Sequence, residues 1–122
     1  MTPKFRAWLK EEYRMTDVRE ITFFNDEVQM ISGVEDFYAY DEFELMQSTG
    51  LKDKNDKEIF EGDIVKFTIT NGFDYVVDEY GVVTYKQGAF FIVKDFAEYL
   101  ISYVYTDEIE VIGNEFENQG VN

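Results

Sequence analysis

Along most of the chain, apolar and polar residues alternate with a period of two, the pattern of half-buried β-strands. Residues 4–9 set Phe5, Ala7 and Leu9 against Lys4, Arg6 and Trp8 and predict a first strand. Residues 21–24 (ITFF) and 28–31 (VQMI) flank Asn25-Asp26-Glu27, a short polar turn, and predict a hairpin. Residues 34–42 (VEDFYAYDE) carry no clean period and fit either a short helix or an irregular crossing. Residues 43–49 are extended, with Phe43, Leu45 and Gln47 on one side, and Gly50 is expected to break that strand. A charged turn then leads through Ile59-Phe60 and a tight Gly62-Asp63 turn into 64–70 (IVKFTIT). This is the clearest strand, and Val65, Phe67 and Ile69 form its inward face. Asn71-Gly72 signals the next turn, because both residue types tolerate positive φ. Residues 74–77, 82–85 and 89–93 read as further strands, with Gly81 and Lys86-Gln87-Gly88 as punctuation. Residues 97–105 (AEYLISYVY) read as one helical turn running into a strand. Residues 109–113 (IEVIG) close the sheet, and 114–122 form a tail.

Many short strands in 122 residues predict a mainly β fold built on a small antiparallel barrel. The piece EGDIVKF (61–67) fits a Src-homology-3-like barrel, where an acidic turn delivers the chain into a long strand with alternating faces. The expected organisation is an N-terminal β-rich subdomain over 1–44, the barrel over 45–113 and the tail over 114–122, all in one compact unit.

Composition narrows the chemistry. Apolar residues make up 45% of the chain, and twelve Phe and nine Tyr against one Pro favour packed sheet over disorder. Cysteine is absent, which excludes disulfides, a thiol nucleophile and thiolate metal sites. Histidine is also absent, removing the usual general base, the imidazole ligand and any histidine-based pH switch. The opening MTPKFRAW has no apolar signal core, and no apolar run is long enough to span a bilayer, so a cytoplasmic protein is expected.

Charge changes the picture further. Twenty-six acidic against eleven basic residues give a net −15. Residues 23–51 and 95–122 each hold seven carboxylates and no Lys or Arg. Such a surface repels a phosphate backbone, so direct nucleic-acid binding is not expected. A basic protein partner, a cation and plain solvation are the readings the two blocks allow, and a solvated acidic surface is the default among them.

Four ordered blocks resemble the YopX-like family of phage and prophage proteins: KFRAW (4–8) with Met15 following, TGLKDKNDKEIFEGDIV (49–65), GVVTYKQGAFFI (81–92) and EIEVIGNEFEN (108–118). The second is the most specific. The resemblance implies a β-rich fold with a Src-homology-3-like barrel, encoded by phages or prophages of Gram-positive bacteria. It carries no catalytic residues over, and no enzyme is expected.

Candidate chemistry is correspondingly thin. Asp53-Lys54-Asn55-Asp56-Lys57 faintly follows a calcium loop, but the fifth, sixth and twelfth positions hold Lys57, Glu58 and Ile64, where an oxygen ligand, Gly and Glu are needed. Paired carboxylates such as Asp41 with Glu44, or Glu61 with Asp63, arise by chance in so acidic a chain, and turn chemistry explains the second pair. No catalytic residue, metal ligand or cofactor is predicted. Aromatics inside the acidic blocks are the best candidates for a partner surface: Tyr38, Tyr40, Asp41, Glu42 and Glu44 in the first, and Glu98, Tyr99, Tyr103, Tyr105, Asp107 and Glu108 in the second. They would take an Arg- or Lys-bearing peptide by cation–π contact and charge pairing. The plainer alternative keeps Phe rings, including Phe37 and Phe96, in the core, with only Tyr hydroxyls reaching the surface. The expected function is a non-catalytic phage accessory protein that binds a protein or self-associates, with a possible homo-oligomer. The alternatives are an acidic DNA mimic occupying a host nucleic-acid-binding protein and, last, a carboxylate-only metal-dependent enzyme.

Overall fold

The computed structural model describes residues 4–70 and 72–117, and the chain divides into two compact units, Met1–Gln47 and Ser48–Asn122. The fold is mainly β, with curled antiparallel sheets.

In the first unit, β1 (Phe5–Leu9) lies between β2 (Arg14–Asp17) and the first half of β6 (Phe43–Lys52). Of the expected face, Ala7 and Leu9 are buried and Phe5 is half-buried, but Trp8 from the other set is buried too and meets Tyr13 edge-on at 4.9 Å. A second sheet runs β3 (Glu20–Phe24), β4 (Glu27–Ser32) and β5 (Phe37–Ala39). The β3–β4 hairpin turns on Asn25 and Asp26, both at positive φ, which suits the right-handed strand twist. Residues 34–42, ambiguous in sequence, form a bend, then β5, then a turn closed by the Glu42 N–H donating to the Ala39 carbonyl. Ala7, Leu9, Ile31, Tyr38 and Phe43 make this unit's core.

Gly50 does not end β6. It sits at φ 80° as an irregularity, its N–H donating to Ser48 Oγ, and the strand continues to pair with β7 (Glu58–Phe60). The second unit's sheet has the order β11-β10-β9-β8-β12, formed by β8 (Asp63–Thr70), β9 (Tyr75–Lys86), β10 (Ala89–Lys94), β11 (Ala97–Leu100) and β12 (Ile109–Asn114). A meander whose last strand returns beside the first, after a 3₁₀ turn, is the connectivity of a Src-homology-3-like barrel. Here it curls as a half-barrel. Val65, Phe67 and Ile69 face inward at 0%, 1% and 4% exposure, and pack with Ile59, Val83, Ile92, Ile101, Val104, Ile109 and Val111.

Two expectations change here. Gly81 does not separate two strands, because it lies inside the continuous β9. A Cβ there would meet Ile92 Cγ2 at 2.6 Å and the Val93 carbonyl oxygen at 2.9 Å. Glycine is needed where β9 presses onto β10. Residues 97–105 invert the expected order, strand first and 3₁₀ turn second, because pairing with β10 claims 97–100 before the chain must cross to β12. At the C-terminus, Asn114 ends β12, and its Oδ1 accepts from the Phe116 and Glu117 N–H groups. Asn71 of the predicted turn and residues 118–122 of the predicted tail lie outside the described residues.

Candidate functional site

The most distinctive stretch of the sequence, 49–65, builds scaffold. Asp53 is buried to 6% exposure inside a loop of charged residues. Its Oδ1 accepts the N–H groups of Asn55 and Lys57, each at 2.9 Å, and Oδ2 accepts the Val111 N–H at 2.8 Å. The Lys54 N–H donates to the Ile109 carbonyl. The loop therefore lies along the outer edge of β12 and occupies backbone groups that would otherwise be open to another strand. Burial works against the Asp53 charge, but the Val111, Lys57 and Asn55 N–H groups outweigh it and hold the carboxyl below its usual pKa. The second acidic pair is also structural: Asp63, fully buried, accepts the Phe60 N–H at 2.8 Å on Oδ2.

The first acidic block dissolves into similar roles. Tyr38 is buried at 7% exposure in the core, so its ring offers nothing to a partner. Burial first, and then the nearby Glu12 carboxylate, raise its pKa, and Arg14 donates to its hydroxyl at 3.4 Å. Glu42 accepts the Ala39 N–H and caps its turn, while Glu44 lies 3.4 Å from Lys10. Tyr40 and Asp41 stay exposed. The expectation that Phe is core and Tyr surface reverses here. Phe37 and Tyr38 are neighbours on β5, so they must face opposite ways, and the strand turns Tyr38 inward and leaves Phe37 at 69% exposure.

The second block keeps a surface. Glu98 is paired with Lys86, and Tyr99 is half-buried against Phe67, with ring centroids 5.6 Å apart. Beyond β11, Ile101 and Val104 are buried anchors, and the Val104 N–H closes a 3₁₀ turn on the Ile101 carbonyl. A second turn over Thr106–Glu108 closes from the Glu108 N–H to the Tyr105 carbonyl before Ile109 is buried again. With 101, 104 and 109 pinned, Tyr103 and Tyr105 project at 72% and 69% exposure, and Asp107 and Glu108 lie exposed beside them. Asp107 and Glu108 also line a small cleft of about 70 Å³, with Lys54, Lys66, Thr68, Asp78 and Glu110. Among the described residues, no group of three or more Asp, Glu, His or Cys is placed to hold a metal ion, and no helix is long and apolar enough to cross a membrane.

Sequence reasoning missed other exposed rings. Phe96 is fully exposed in the two-residue β10–β11 turn, following Asp95 at φ 53°. Phe73, Tyr75, Val77 and Tyr80 project from the β8–β9 hairpin at 96%, 82%, 48% and 53% exposure. The available signal was parity, since Tyr75 and Val77 alternate with the inward Val76.

The YopX protein family model matches residues 4–120. Protein EF1440 from Enterococcus faecalis has a similar crystal structure, with a TM-score of 0.70 and 31% identity, over 97% of this chain and 96% of that one. No curated protein matches. With the family pattern spanning both units and the structural likeness spanning nearly the whole chain, this protein belongs to the YopX family.

Proposed function

We propose that this chain is a non-catalytic accessory protein of phage or prophage origin, acting in the host cytoplasm, which binds another protein through residues 101–108. The observation that carries the reading is Tyr103 and Tyr105, largely exposed, set beside the exposed carboxylates Asp107 and Glu108 on a segment whose anchors are buried. Rings left in water contribute little to folding, whereas Tyr-rich patches are enriched where proteins meet. The partner chemistry follows from charge. Residues 95–122 contain seven carboxylates and no Lys or Arg, so the complementary ligand is a segment bearing Lys or Arg. Cation–π contact with the Tyr rings and pairing with Asp107 and Glu108 would hold it.

The test is affinity capture from a bacterial host lysate, washed at graded salt, with wild type and two variants. Tyr103→Ser/Tyr105→Ser should melt like wild type and lose the captured protein. Asp107→Asn/Glu108→Gln should capture less and show a shallower salt dependence. Undiminished capture by both variants would refute the reading. Capture of a DNA-binding protein that ignores the tyrosines and falls steeply with salt would favour nucleic-acid mimicry instead.

A further inference from the structure

We infer that the outward face at the end of the β8–β9 hairpin is a self-association surface on which a second copy of this chain packs. Opposite Thr68, β9 carries an extra residue at Val77-Asp78, with Asp78 at φ 49° and its N–H donating to Thr68 Oγ1 at 3.0 Å. This irregularity resets the strand's parity, so that Val76, Gly81 and Val83 face inward while Tyr75, Val77 and Tyr80 share the outer face. Phe73 adds a ring at 96% exposure beside the turn. Across the ladder, Thr70 pairs with Tyr75 and Lys66 with Tyr80, so β8 contributes small and amphipathic neighbours to the same face.

The size is right for a specific contact. Aromatic side chains bury roughly 150–250 Å² each, so the exposed fractions of Phe73, Tyr75, Tyr80 and Val77 amount to about 500 Å² per copy. Two copies would then bury about 1,000 Å², where specific interfaces begin. An open concavity of about 350 Å³, lined by Thr70, Gly72, Phe73, Asp74 and Tyr75, is roomy enough to receive one ring from the partner.

Charge selects the occupant. A second copy carries the same net −15 and is repelled wherever carboxylates cluster. Residues 67–94 hold only three acidic and two basic side chains, the most nearly neutral long stretch outside the N-terminal 22 residues. Within it, Glu79 is 3.4 Å from Lys94, and the other two carboxylates are Asp74 and Asp78. The outer face of the hairpin carries Lys66 and faces fewer carboxylates than either acidic block, so two copies meet there with less repulsion than elsewhere on the acidic surface. Two-fold packing, arm against arm, makes the contact self-complementary and closed.

Sedimentation velocity at about 1–100 µM protein in about 150 mM salt tests this. Wild type should run at a multiple of the 14.4 kDa chain mass, and Phe73→Ser/Tyr75→Ser should run as a monomer with an unchanged circular dichroism spectrum. If that variant fails to fold, Tyr75→Glu alone, which sets a carboxylate in each copy's contact, should reduce association at least tenfold. Tyr103→Ser/Tyr105→Ser should keep the wild-type mass, which separates this surface from the proposed binding segment. A wild-type monomer at 100 µM, or a Tyr75→Glu variant with the wild-type mass, would overturn the inference.

Discussion

Gly81→Ala measures how closely β9 presses on β10. A methyl group at 81 would sit 2.6 Å from Ile92 Cγ2, 2.9 Å from the Val93 carbonyl oxygen and 3.3 Å from Phe67 Cε1. None of these can yield easily. Ile92 and Phe67 are 0% and 1% exposed, and Val93 is held in register opposite Val82. Overpacking of this kind costs about 1–3 kcal/mol. Against it stands the loss of glycine's freedom in the unfolded chain, which stabilises an alanine variant by about 0.4–1 kcal/mol where the backbone is compatible. The clash includes a backbone atom, so it should win, leaving a net loss of roughly 1–2 kcal/mol. Urea denaturation at neutral pH, with the m-value held as a check on the unfolding transition, reads this directly. Gly88→Ala is the contrast. Nothing lies within 4 Å of its added Cβ, but φ is 82°, so it should lose about 1 kcal/mol from backbone strain alone. A neutral or stabilised Gly81→Ala would refute the close approach of the two strands.

Phe67→Ala removes a fully buried ring that packs against Tyr99, and should cost about 3–5 kcal/mol by the same denaturation assay; a loss under about 1 kcal/mol would contradict the core assignment. A chain of net −15 should also melt at higher temperature as salt is raised from about 0.01 to 0.15 M, where the Debye length contracts from about 30 to 8 Å. A flat melting temperature would mean that the fifteen carboxylates in excess of Lys and Arg lie too far apart to repel strongly or already hold cations from solution.

Local alternation made much of the fold readable. IVKFTIT announced its buried face, and Asn25-Asp26 announced a hairpin whose two turn residues take positive φ. What escaped was decided by pairing at a distance. β2 has only Met15 and Thr16 facing cover, too short a pattern to stand out, and it forms because β1 offers an edge. Gly50 and Gly81 carry the usual mark of a break, yet both sit within strands, one as an irregularity and one as a close approach. The candidate site was half legible. Composition located Tyr103, Tyr105, Asp107 and Glu108, but could not see that Tyr38 faces inward or that Glu42 and Glu44 already have partners. The Asp53 loop read as an idle charged turn because its key acceptor reaches Val111, 58 residues away.

That loop carries the central claim, that the most distinctive block of the sequence clamps the β12 edge. Asp53→Asn keeps the shape but replaces one carboxylate oxygen with a donor, which must face either the Val111 N–H or the two turn N–H groups. Losing buried hydrogen bonds to a charged group should cost about 1.5–3 kcal/mol at pH 7. The sign with pH follows from the lowered pKa of Asp53, whose contribution is present above the unfolded carboxylate value and is lost as pH falls through the folded one. The deciding measurement is the stability gap between wild type and Asp53→Asn, by urea denaturation from pH 7 downward. The clamp predicts a gap that is full at neutral pH and narrows only below about pH 4. A gap under about 0.5 kcal/mol at pH 7, or one that does not change with pH, would contradict it.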